Sequence, residues 1–222
     1  MKNIIVAIDQ SEFGPFKDLV DSLDSKKCMI KIGSVAFNSI GKDALYYAYE
    51  KGFDIFLDLK LHDIPNTVKK TIKGLLSLPI SILTVHTSGG KNMLDASMQA
   101  VSGSNIKIFG VTALTSLSEE DTKMIFNRSI ADQVNAMLDL AESSKIDGVV
   151  CSPLELGLVS SRSSLLSITP GIRLEDSNDD QKRFMTPNQA IKLGADYIVI
   201  GRPITASNNI PKALNEIYLK TK

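Results

Sequence analysis

The chain has 222 residues, with Lys+Arg and Asp+Glu both at 25, so its formal net charge is zero. That balance excludes a general electrostatic affinity for nucleic acid or anionic membranes, while leaving room for a local basic pocket. Hydrophobic residues make up 43%, as in a soluble globular protein with a sizeable core, and no apolar run approaches the ~20 residues of a membrane span. The N-terminal stretch turns polar too quickly for a signal peptide. The two cysteines, Cys28 and Cys151, lie far apart without metal-ligand spacing, so free thiols in a reducing compartment and a cytoplasmic location are expected.

Taken in chain order, short Val- and Ile-rich runs predict strands over 4–8, 29–32, 55–59, 82–85, 106–111, 148–151, 165–168 and 197–200. Helical periodicity between them predicts helices over 35–51, 67–78, 91–101, 130–142, 187–193 and 210–219. The strands have few polar interruptions, as expected when both faces are covered. Eight strands alternating with helices predict an α/β fold, a (β/α)8 TIM barrel forming one domain over residues 1–222. A doubly wound open sheet has the same alternation, but no Gly-rich dinucleotide fingerprint follows the first strand, which continues Asp9-Gln10-Ser11-Glu12-Phe13.

The position of the reactive residues also favours a barrel. Asp9, Lys31, Asp58, Lys60, His86, Thr115, Ser116, Gly171, Arg173, Gly201 and Arg202 all fall at or just after the C-terminal ends of predicted strands. Barrel enzymes assemble their sites at that edge. Lys31 interrupts its strand alone, and a solitary cation inside a barrel needs an anionic partner.

The densest chemistry is Asp58-Leu59-Lys60-Leu61-His62-Asp63, followed by Ile64-Pro65-Asn66-Thr67. Strand alternation aims Asp58 and Lys60 at one spot. Asp63 comes three positions later, just before Pro65, which ends the strand and opens a helix. Two carboxylates and a lysine packed so closely are costly to bury unless fully paired, which points to catalysis rather than to a structural ion pair at a sheet edge.

The seventh strand leads into Thr169-Pro170-Gly171-Ile172-Arg173 and the eighth into Gly201-Arg202-Pro203, where barrels commonly bind phosphate. Gly201 permits close backbone approach, and Arg202 offers a fork of donors matched to phosphate oxygens. The polar stretch 174–184 suits a mobile lid rather than a plain surface loop, and its Gln181 is placed to reach inward to a ligand. His86 reads as a hydrogen-bonded wall of the pocket. His62, the only other histidine, completes no zinc constellation, so no zinc site is expected.

With these segments in view, the chain closely resembles the orotidine 5′-phosphate decarboxylase family from Asp9 to Arg202. Asp-x-Lys-x-x-Asp alone is shared with a wider group that includes 3-keto-L-gulonate 6-phosphate decarboxylase and hexulose phosphate synthase. The continuation Asp63-Ile64-Pro65-Asn66-Thr67 points to the orotidylate branch. The resemblance implies a homodimer of barrels with shared sites, working without metal or organic cofactor on orotidine 5′-phosphate to give UMP.

It further implies that Asp9 and Lys31 hold the ribose hydroxyls and that Asp58 faces the substrate carboxylate. Lys60 would protonate C6 as carbon dioxide leaves, and Asp63 and Thr67 would reach into the neighbouring subunit's site. Ser116 would bond the pyrimidine, while Gln181 and Arg202 would hold the phosphate. Two other readings are a Mg²⁺-dependent sugar-phosphate decarboxylase or lyase of the wider group and a noncatalytic phosphate-ligand-binding barrel. The latter is expected to have lost Asp58, Lys60 or Asp63, and none is missing.

Overall fold

A computed structural model describes residues 2–162, 165–173 and 185–221. Strand β1 (Ile4–Ile8) is followed by helix α1 (Phe13–Asp21), then β2 (Cys28–Gly33), α2 (Ser34–Ile40) and α3 (Lys42–Glu50). Next come β3 (Ile55–Leu61), α4 (Pro65–Leu75), β4 (Ile82–His86), α5 (Lys91–Val101) and β5 (Lys107–Val111). Then follow α6 (Glu119–Phe126), α7 (Ile130–Ser143), β6 (Gly148–Val150), α8 (Leu156–Ser160) and β7 (Leu166–Thr169). The chain finishes with α9 (Pro187–Lys192), β8 (Tyr197–Ile200), α10 (Arg202–Thr205) and α11 (Ile210–Lys220). Each strand pairs in parallel with the next, and β8 closes on β1, giving the expected eight-stranded barrel.

Two departures from the sequence reading have local causes. The helix expected over 35–51 is broken at Gly41, whose φ of 81° lies where a side chain is strained, so it splits into α2 and α3. Helices α1, α6, α8 and α10 are additions to the predicted set, and α6 has a clear local signal. Ser118 caps it, accepting from the Asp121 amide while the Asp121 carboxylate accepts from the Ser118 amide.

Period-2 alternation divides the core into two layers. Ile5, Met29, Phe56, Ile82, Phe109, Ile168 and Val199 face the barrel axis and pack on one another. Alternate residues such as Ile4, Ile30, Leu57, Leu83 and Ile198 belong to the layer between strands and helices. Phe109 and Tyr197 meet edge-on, with ring centroids 6.3 Å apart. The filled interior makes the barrel a solid platform, with open space left at its C-terminal mouth. Cys28 and Cys151 are both free and buried. Among the described residues, no helix is long and apolar enough to cross a membrane.

A tight inter-strand fit is found at Gly148, opposite Leu166 in the β6–β7 register. A Cβ there would press on the Leu166 carbonyl oxygen and sit 2.5 Å from Phe109 Cε1. The oxygen is backbone and cannot swing aside. Gly148→Ala is therefore expected to lower stability by about 1–3 kcal/mol, read as a shift in the urea midpoint; an unchanged midpoint would contradict this packing.

Candidate active site

Inward-facing positions at the strand ends carry the charges. From β1 and β2, alternation that buries Ile5, Ala7 and Met29 inside brings Asp9 and Lys31 to the mouth. Lys31 Nζ donates to Asp9 Oδ1 at 3.3 Å and lies 3.8 Å from Asp58 Oδ2. Lys60 Nζ donates to Asp58 Oδ2 at 2.8 Å. Asp9, Lys31, Asp58 and Lys60 thus form a row of alternating charge, with Asp58 the buried member at 9% exposure. The solitary cation of β2 has found two anionic partners.

The local backbone is less regular than the sequence suggests. Leu57 pairs with Leu83 and Leu61 with Val85, so four residue steps on β3 span only two on β4. Lys60 sits in this bulge with φ of 49°, a left-handed conformation uncommon outside glycine. Bulges of this kind re-aim side chains beside active sites. Leu57, Leu59 and Leu61 still pack toward the helices, leaving Asp58 and Lys60 on the inner side as expected. Thr84, fully buried on β4, donates to Asp58 Oδ1 at 3.0 Å and accepts from the Lys60 amide at 2.9 Å.

Next to these charges lies a cavity of about 220 Å³. Lys31, Asp58 and Lys60 form its polar side, and Phe56, Val111 and Val199 contribute apolar wall. Cys151 also lines it, but burial pushes its thiol up to about 12, so it is no ready nucleophile. A cationic nitrogen beside an apolar pocket is suited to stabilise a developing negative charge away from water.

The remaining expected residues are placed as follows. Asp63 and Thr67 are exposed, and Asp63 Oδ1 accepts from the Ile64 amide at 2.6 Å. Among the described residues, Lys60 pairs with Asp58 and not with Asp63. Ser116 is exposed in the loop after β5; its neighbours Leu114 and Thr115 line the cavity, and it does not. Gly201 follows β8 as the N-cap of α10, and Arg202 opens that helix, exposed. A Cβ on Gly201 would meet Ala7 Cβ at an ordinary 3.8 Å, so packing within the chain does not demand glycine there. Gln181 and the expected lid over 174–184 lie outside the described residues.

His86 is hydrogen-bonded, as expected: Ser88 Oγ lies 2.6 Å from its Nδ1, and the Ser88 amide donates to the same nitrogen at 3.3 Å. Its ring stacks on His62 with centroids 5.1 Å apart. Burial, followed by electrostatic interaction with His62 and Lys60, lowers the His86 pKa and favours the neutral ring. Thr84 was missed by sequence reasoning. It shares the inward parity of Ile82 and His86, and counting back from His86 in steps of two would have found it.

A closed barrel with ionised side chains gathered around a cavity at its C-terminal mouth defines a (β/α)8-barrel enzyme. Comparison with known proteins narrows the class. Residues 2–217 match the model of the orotidine 5′-phosphate decarboxylase / HUMPS family, and the chain belongs to that family. It is 43% identical to the orotidine 5′-phosphate decarboxylase of Saccharophagus degradans, over 96% of this chain and 92% of that protein. It is 40% identical to the Coxiella burnetii protein of the same name, over 96% and 94%. The crystal structure of orotidine 5′-phosphate decarboxylase from Lactobacillus acidophilus superposes with a TM-score of 0.89 at 32% identity, covering both chains fully.

Gly33 is a sensitive point in this geometry. A Cβ there would lie 2.9 Å from Lys31 Nζ and 3.5 Å from Asp9 Oδ1. The lysine tip can yield, so Gly33→Ala is expected to cost less than about 1 kcal/mol of stability while a crystal structure of the variant shows the ammonium displaced from Asp9. An ammonium still seated against Asp9 would contradict this.

Proposed function

We propose that the protein decarboxylates orotidine 5′-phosphate to UMP without a metal or organic cofactor. The observation that carries the reading is the Lys60 ammonium held 2.8 Å from the buried Asp58 beside the cavity, in a chain of this family. Heterolysis of the C6–carboxylate bond releases carbon dioxide and leaves the electron pair on C6. Lys60 Nζ gives its proton to that carbon, ending as a neutral amine. The carbanion has little resonance relief, so a fixed ammonium is the main source of stabilisation. Asp58 faces the substrate carboxylate, and Asp9 and Lys31 hold the ribose hydroxyls. Ser116 bonds the pyrimidine, while Gln181, Gly201 and Arg202 bind the phosphate. Remote phosphate binding then contributes to assembling the charged site.

In this reading residues 1–222 form one catalytic domain, and two copies pair as a homodimer in the cytoplasm. Asp63 and Thr67 of each copy complete the other's site. Both are exposed, Asp63 just before α4 and Thr67 in its first turn, and among the described residues Lys60 pairs with Asp58 rather than Asp63, which supports that arrangement. A second reading is favoured by Asp-x-Lys-x-x-Asp, which the wider group shares: a Mg²⁺-dependent sugar-phosphate decarboxylase or lyase. It differs in needing a divalent ion to hold an enediolate.

Purified protein is expected to bleach orotidine 5′-phosphate absorbance fully in excess EDTA; activity restored only by Mg²⁺ would favour the second reading. Under the same conditions Lys60→Ala is expected to keep less than about a hundredth of wild-type kcat while still binding UMP; greater retention would remove Lys60 from its role. Mixing inactive Asp63→Ala with inactive Lys60→Ala is expected to recover activity through hybrid dimers that contain one intact site. No recovery after verified subunit exchange would refute shared sites.

A further inference from the structure

We propose that Thr84 is a positioning residue for the reaction, fixing Lys60 and Asp58 relative to each other through its single hydroxyl. This rests on the decarboxylase reading above and adds to it a residue that holds the reacting groups without touching substrate.

The case begins with the bulge. Where β3 spends four residue steps against two on β4, the regular ladder between them is interrupted and Thr84 stands alone opposite the extra residues. The Lys60 amide, displaced by the left-handed turn at φ 49°, donates instead to Thr84 Oγ1 at 2.9 Å. A side-chain oxygen thereby takes the place of a strand carbonyl and satisfies a donor that would be costly to leave unpaired. A hydroxyl has one proton to give, and Thr84 gives it to Asp58 Oδ1 at 3.0 Å.

The two oxygens of Asp58 are consequently divided. Oδ1 faces Thr84, while Oδ2 faces Lys60 Nζ at 2.8 Å and Lys31 Nζ at 3.8 Å. One group thus fixes both the backbone that carries the ammonium and the plane of the carboxylate that anchors it. Thr84 is 0% exposed and β-branched, with restricted side-chain rotation, so the bridge is stiff. Valine has the same shape and no hydroxyl. Serine keeps the hydroxyl and loses a methyl group.

The test compares wild type, Thr84→Val and Thr84→Ser by steady-state kinetics on orotidine 5′-phosphate, UMP affinity and NMR hydrogen exchange at the Lys60 amide. Thr84→Val is expected to lose about ten- to a hundredfold in kcat, the scale of a small misplacement of reacting groups. KM and UMP affinity should stay near wild type, and the Lys60 amide should exchange faster. Thr84→Ser should recover most of kcat and the slow exchange. Should Thr84→Val not fold, Thr84→Cys, with its weak donor, is held to the same criteria.

An unchanged kcat in Thr84→Val, equal losses in the Val and Ser variants, or a loss confined to KM would overturn the proposal. If wild type does not turn over orotidine 5′-phosphate, the decarboxylase reading falls instead. In that case equal Lys60 amide exchange in wild type and Thr84→Val would still refute the bridge, and faster exchange in the variant would support it.

Discussion

The arrangement depends on keeping two opposite charges close together at the edge of an apolar barrel. Lys60 and Asp58 are two residues apart on a strand whose ladder with β4 is interrupted between Leu57 and Leu61, and their side chains meet at 2.8 Å. A buried carboxylate is tolerable only when its oxygens are occupied. Thr84 takes one oxygen of Asp58, and the two lysines share the other. Removing any one partner leaves a charge or a polar group facing apolar walls, so these residues act as a unit.

The barrel makes that unit rigid. Its interior is filled up to the level of Phe56, Phe109 and Val199, and the charged residues stand directly above this layer. Charges mounted on a packed core do not need to reorganise when a substrate develops charge of its own, which is the condition for electrostatic catalysis. Asp9 and Lys31 continue the row on β1 and β2, so a ligand crossing the mouth meets alternating charges over several strands.

Much of this was legible in the sequence because short, continuous apolar runs separated by helical periodicity are a strong signal. All eight strands, the barrel they close and the charged edge follow from it. The inward direction of Asp58 and Lys60 was also readable, since Leu57, Leu59 and Leu61 claim the opposite face. The bulge was not, because a positive φ at a lysine leaves no mark in composition. Thr84 was hidden for a related reason: threonine is an ordinary strand residue, and its importance lies in a partner twenty-four positions away. The break at Gly41 could have been suspected, since an isolated glycine within a helical pattern often marks a helix end. Asp63 and Thr67 stay outside the charge row of their own chain, a placement that only long-range geometry reveals.

The central claim is that a fixed ammonium lies beside the carbon that becomes an anion. A crystal structure of the protein with a tight-binding UMP analogue tests it most directly. The expected result is Lys60 Nζ at about 3 Å from C6 or its substituent, still paired with Asp58. An ammonium turned away from the pyrimidine ring, with the nucleotide otherwise ordered in the cavity, would contradict the account.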